Sequence, residues 1–269
     1  MYHVESNFTY PKMYKVRQHL NSEKLADINK TVYDELDAIG IGEKIKKDSE
    51  IAVCAGSRGI NNIDKIVKAA VDYVKDHGGK PFIVPAMGSH GGATADGQIH
   101  VLEKYGISEE TMGCEIRSDM EPVYLGDAEN GAPVYFDKNA YGAAGIIVVN
   151  RVKPHTDFLA ENESGVVKMC AVGLGKEKGA TAMHGYNLGE TIPLSFKVSL
   201  KKVPYLAGLA IIENSMDETY MIKALKPEDF LEEEKKLLNI AKQQVPHFPV
   251  DQLDVLIVKE MGKMFSGTG

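Results

Sequence analysis

From Ser49 onward the chain alternates short apolar runs with amphipathic stretches, and this alternation constrains the fold more than any other feature. Continuous apolar runs belong to strands buried on both faces, and the amphipathic stretches between them are the crossover helices that bury them. The expected class is therefore α/β, a mostly parallel sheet with helices on both faces. Residues 51–55 read as a strand. Ile63, Ile66, Val67, Ala70, Val71 and Val74 then recur at helical spacing up to Gly78-Gly79, with Asn61 and Asn62 as cap candidates. Further strands are expected at 81–85, 145–149, 206–212 and 253–258, and a helix at 232–243. Residues 114–135 read as short strands broken by Gly126, Gly131 and Pro133.

A chain of 269 residues can bury a core several side chains deep, as one large domain or two small ones. Its formal net charge of -7 argues against a nucleic-acid partner, which selects for clustered Lys and Arg. The local lysine groups, Lys44, Lys46, Lys47 and Lys197, Lys201, Lys202, read as solvated helix faces. No apolar run has the length of a signal peptide or of a membrane span, so the expected location is the cytoplasm, away from membranes. Cys54, Cys114 and Cys170 are widely spaced and form no C-x-x-C pair. They encode neither a disulfide framework nor a cysteine-based metal site, and are expected to be buried thiols.

Five residues stand where chemistry is possible. His90 lies in Gly88-Ser89-His90-Gly91-Gly92, between a strand and a helix, where small neighbours let a ligand approach the ring and backbone; it is equally readable as a structural turn histidine. His155 follows Arg151, Lys153 and Pro154 at the end of a buried strand, placing either a base among cations in a crevice or a plain basic surface loop there. Lys168 sits in a largely apolar stretch, Gly165 to Gly175. Burial would lower its pKa and make the amine nucleophilic, whereas a snorkelling lysine at a helix end is the plainer alternative. His184, sixteen positions later, is an ordinary histidine or a metal ligand. Arg58, just past the first strand, could hold a carboxylate through two parallel hydrogen bonds. The glycines at 173, 175 and 179 do not make a G-x-G-x-x-G turn, which disfavours an NAD-type dehydrogenase.

Taken together, His90, His155, Lys168 and His184, in that order and with the sixteen-residue Lys-to-His interval, resemble the nickel-pincer-nucleotide family typified by lactate racemase. The resemblance runs from about Ala55 to the end of the chain. It implies that Lys168 carries the cofactor, pyridinium-3-thioamide-5-thiocarboxylic acid mononucleotide with nickel, and that His184 completes the nickel coordination. It further implies that His90 and His155 are the two acid/base groups and that Arg58 helps hold the substrate carboxylate. The implied activity is racemisation or epimerisation of a 2-hydroxy acid by hydride transfer to the cofactor, through a planar 2-oxo acid. Cofactor-maturation enzymes are implied partners. The chain would then correspond, over 1–269, to the cofactor-carrying N-terminal domain of a two-domain enzyme, with the C-terminal domain absent or truncated. A catalytically silent cofactor- or nucleotide-binding domain is the alternative. Ala55 and Gly91 depart from the lactate racemase pattern, which has an acidic residue and an arginine there. Both changes fall on the substrate side of the pocket, so the implied substrate is a 2-hydroxy acid rather than lactate in particular.

Overall fold

The structure, a computed structural model, describes residues 12–57 and 59–260. In chain order its strands are β1 (Glu50–Ala55), β2 (Lys80–Pro85), β3 (Pro122–Asp127), β4 (Pro133–Asp137), β5 (Gly145–Arg151), β6 (Tyr205–Glu213) and β7 (Thr219–Leu225). Its helices are α1 (Ile28–Ala38), α2 (Ile63–Asp76), α3 (Ala95–Glu103), α4 (Glu109–Met112), α5 (Lys138–Tyr141), α6 (Val166–Lys168), α7 (Lys176–Met183), α8 (Leu188–Leu200) and α9 (Phe230–Gln244). The main sheet has the order β2-β1-β5-β6-β7, and β3 pairs with β4 as a separate hairpin. β2, β1, β5 and β6 are parallel, with Val53 opposite both Ile83 and Ile147; β7 closes the edge antiparallel to β6. The expected α/β class, mostly parallel with helices on both faces, is what forms.

Alternate residues of the central strands feed two cores. Ile51, Val53 and Ala55 of β1 pack with Val32, Leu36, Ile66 and Val74 of α1 and α2. Ala52 and Cys54 face the opposite way, into a core that includes Phe196 of α8 and Phe230 of α9. Because both faces are covered, β1 and β5 carry no polar side and read as unbroken apolar runs. The six apolar positions expected on one helical face, Ile63 through Val74, are all buried in α2.

The two asparagines before α2 act differently from the caps expected. Asn62 holds the N-cap position at φ 56 without a side-chain cap bond. Its amide donates instead to Thr219 Oγ1 at 3.0 Å, and Asn61 Oδ1 accepts from Thr219 N at 3.2 Å. The pair fastens the loop after β1 to the start of β7.

Two further expectations are corrected, and one strand is added that was not expected. Residues 253–258 form no strand; Val255 is 76% and Ile257 88% exposed. Strand propensity expresses packing on a pleated surface, and among the described residues no sheet edge receives this segment. β7, unforeseen, pairs with β6 across a turn in which Asn214 Oδ1 accepts the backbone N–H groups of Met216 and Glu218. Cys54 and Cys170 are buried, but Cys114 is only half-buried. No helix among the described residues is long and apolar enough to cross a membrane.

Candidate functional site

Parallel strands bring their carboxyl ends to one edge of the sheet, where their loops converge. The loops leaving β1, β2 and β5, with the segment that runs through α6 and α7, wall a cavity of about 550 Å³. His90, His155, Lys168 and His184 all line it. Arg58 lies outside the described residues; its neighbours Gly56 and Ser57 are in the cavity wall.

His90 is exposed at the tip of the loop after β2, and its Nδ1 is hydrogen-bonded to the Ser57 hydroxyl from the loop after β1. The loop is tight: Gly91 has φ +68, and a Cβ there would come within 2.6 Å of the Gly97 backbone. An arginine side chain at this position would require the loop and the start of α3 to separate, which accounts physically for the glycine. Thr94 caps α3, its hydroxyl accepting from Gly97 N at 3.1 Å, and so fixes the exit of the same loop.

His155 is carried by the excursion between β5 and α6. The excursion is closed at its base by Lys153 and Ser164, which exchange backbone hydrogen bonds of 2.9 and 3.3 Å. Inside it, the buried Glu163 carboxylate accepts from His155 N at 2.6 Å and from Lys242 Nζ of α9 at 2.8 Å. The imidazole stacks on Phe158, ring centroids 4.2 Å apart. Asp157 N donates to His155 Nδ1 at 3.1 Å, so the neutral ring carries its proton on Nε2. Partial burial, and secondly the ammonium of Lys168, push the His155 pKa below the usual histidine value. The ring is therefore expected to be neutral near pH 7.

Lys168 ends α6, where the chain continues as a π-helical turn, Met169–Gly173, and its Nζ stands 5.8 Å from the centre of the Phe158 ring. It is half-buried rather than sunk in apolar surroundings, because Val166 and Val167 before it turn into the core and leave Lys168 on the cavity side, beside Met169. His184 follows α7 as its C-cap and is exposed at the cavity wall. Among the described residues no three His, Cys, Asp or Glu side chains gather as a metal cluster.

Of the cations expected near His155, Arg151 is committed: it is ion-paired with Glu213 at the end of β6. Glu213 also accepts from Asn61 N at 2.6 Å, so it ties the β1 loop to the end of β5. Ser57, Glu163 and Glu213 escaped the sequence reading. Ser57 stood in plain view beside Arg58, whereas the two glutamates act through partners distant in sequence.

No protein-family model and no curated protein sequence matches the chain. Its structure is similar to that of the lactate racemase apoprotein from Thermoanaerobacterium thermosaccharolyticum, with a TM-score of 0.59 at 14% sequence identity. The match covers 83% of this chain and 58% of that one, so the chain spans little more than half the length of the structure it matches. The fold is lactate racemase-like.

Proposed function

We propose that the chain is a racemase or epimerase of 2-hydroxy acids that works with a nickel-pincer nucleotide held on Lys168. The observation that carries this reading is the meeting of His90, His155, Lys168 and His184, far apart in sequence, around one cavity at the carboxyl edge of the sheet. The lactate racemase-like fold supports it. The residues fit the group: Lys168 offers an amine for covalent attachment, and His184 an imidazole, a donor suited to nickel. When bound, such a cofactor would supply a pyridinium ring able to take up the hydrogen of the substrate 2-carbon with its electron pair.

The chain's own part is to handle the hydroxyl proton. With Nδ1 engaged by Asp157 N–H, neutral His155 presents Nε2–H and is suited to hold a substrate oxygen by a hydrogen bond; it can give up a proton only as the doubly protonated imidazolium, since the neutral ring would be left as imidazolate. His90 presents Nε2 as the acceptor when its Nδ1–H is donated to Ser57. The proton balances when a histidine takes it as the neutral ring and returns it as the imidazolium so formed, and inversion in both directions requires each histidine to be able to do both. Lys153 and Arg58 provide the positive charge expected to attract the carboxylate.

The test is intact-protein mass spectrometry with metal analysis, on the chain co-expressed with cofactor-maturation enzymes, followed by chiral assay of a panel of 2-hydroxy acids. An adduct on Lys168, nickel that is lost in His184→Ala, and turnover of one acid are the expected results. An unmodified mass, with the same maturation enzymes loading a control racemase, would overturn the cofactor reading. A loaded chain without turnover would instead make it a silent cofactor-binding domain.

A further inference from the structure

Lys176 is absent from the cavity wall yet has no exposed surface, and its backbone sits at φ 56, a left-handed conformation that lysine seldom adopts. Such a position persists only when its surroundings over-determine it. Here the surroundings are polar. The ammonium donates to the Pro85 carbonyl at the end of β2 at 2.7 Å and to Gln98 Oε1 of α3 at 3.2 Å. It also stands 2.9 Å from Asp137 Oδ2 at the end of β4, which lies off the hydrogen-bonding direction, so that attraction is one of charge. The other Asp137 oxygen is used to cap α5, accepting from Ala140 N at 2.8 Å.

The consequence falls on Gln98, which is also fully buried. An amide side chain can be turned either way, but an oxygen must face an ammonium, so Lys176 decides which way this one points. Gln98 Nε2 is thereby aimed at the loop after β2, donating to the Gly88 carbonyl at 2.8 Å and the His90 carbonyl at 3.3 Å. From the other side Gly88 N donates to Gly173 O at 2.9 Å, in the turn between Lys168 and Lys176. The loop that carries His90 is held against the segment that carries Lys168 and His184.

We infer that Lys176 and Gln98 are positioning residues for His90: the charge of Lys176 fixes the Gln98 amide, which grips the Gly88 and His90 carbonyls and holds the ring against Ser57 at the cavity. The inference rests on the proposed function for what His90 does, though not for how His90 is held.

Imidazole nitrogen NMR on the unloaded chain tests it, with the His90 signals assigned by their loss in His90→Ala. In the unaltered chain the two ring nitrogens of His90 are well separated in shift, as a fixed tautomer requires. In Gln98→Leu, which leaves the Lys176 contacts to Pro85 and Asp137 in place, they converge toward the average of a freely exchanging ring, while those of His155 and His184 stay put. Lys176→Met gives the same convergence; if that variant does not fold, Gln98→Leu decides alone. His90 signals unchanged in Gln98→Leu, with only the unfolding midpoint lowered, would overturn the inference and make the pair a structural brace. No cofactor or substrate enters the measurement, so an inactive racemase and a mispositioned His90 are told apart.

Discussion

His90 and His155 face one cavity under different constraints, and substitutions should separate them from Lys168 and His184, the pair proposed to hold the cofactor. His90→Ala is expected to retain the Lys168 adduct and lose turnover by roughly 10² to 10⁴-fold, the usual worth of a general acid/base group. Lys168→Ala is expected to lose the adduct itself; mass spectrometry of both variants checks the contrast, and a fully loaded Lys168→Ala would remove that lysine from the reading. His155 carries the pH dependence. Burial first, then Lys168, lowers its folded pKa, so between that value and the ordinary one the unfolded chain binds more protons than the folded chain. Its contribution to stability is therefore complete above the ordinary histidine value and declines as pH falls through the window below it. Titration of the His155 ring by NMR should give a midpoint under the usual value of roughly 6.5. Replacing Lys168 by Met should raise the midpoint, since the ammonium is the second cause of the depression; an unmoved midpoint would contradict the geometry that places these two side chains together.

Besides Lys242, α9 reaches the site through a buried carboxylate. Glu234 accepts from Val167 N at 2.9 Å at the start of α6, and Asn162 Nδ2 approaches it at 3.4 Å, yet burial outweighs these bonds and pushes its pKa up to about 7. Here the sign is opposite to that of His155. The folded chain binds more protons than the unfolded one between the ordinary carboxylate value and about 7, so stability falls across that window as pH rises. Glu234→Gln keeps an acceptor for Val167 N without the charge, and should gain on the unaltered chain by on the order of 2 kcal/mol between pH 5 and pH 8. Urea midpoints at the two pH values check it; a gap independent of pH would show that Glu234 does not titrate there. None of this was legible in the sequence, where Glu234 stands among the charged residues of an amphipathic helix and its partner lies 67 positions away. The strands of the sheet were legible for the opposite reason: doubly covered strands such as β1 and β5 write their burial into consecutive residues. Residues 253–258 are similarly apolar but pair with no strand among the described residues, and β7 lacks the unbroken apolar run because Lys223 and Met221 leave one side of an edge strand half-wet. Periodicity reports burial, and says nothing of pairing.

Over the whole molecule the site is assembled from parts of unequal stability. The sheet is covered on both faces by the two cores, whereas the 153–164 excursion is held mainly by polar contacts: a two-residue bridge, Glu163, Asn162 bonded to Leu231 O, the Glu161–Lys235 ion pair and the Phe158 stack. Segments with few buried apolar contacts open at much lower free energy than a covered sheet, and a ligand that bridges them to the core raises that free energy selectively. The sequence-level reading could order the four side chains but could not show this, because which loop is weakly held depends on contacts such as Lys242 with Glu163, 79 residues apart. Amide exchange followed by mass spectrometry should accordingly find β1 and β5 slow in both forms of the chain. Peptides over 153–164 and over the His90 loop should be fast without cofactor and slow by tenfold or more (about 1.4 kcal/mol) once Lys168 is loaded. Slowing confined to the peptide that carries Lys168 would mean that the cofactor hangs from its lysine without drawing the two histidine loops together. In that case the cavity would be a place of attachment only, and the acid/base roles of His90 and His155 would have to be given up even with the adduct in place.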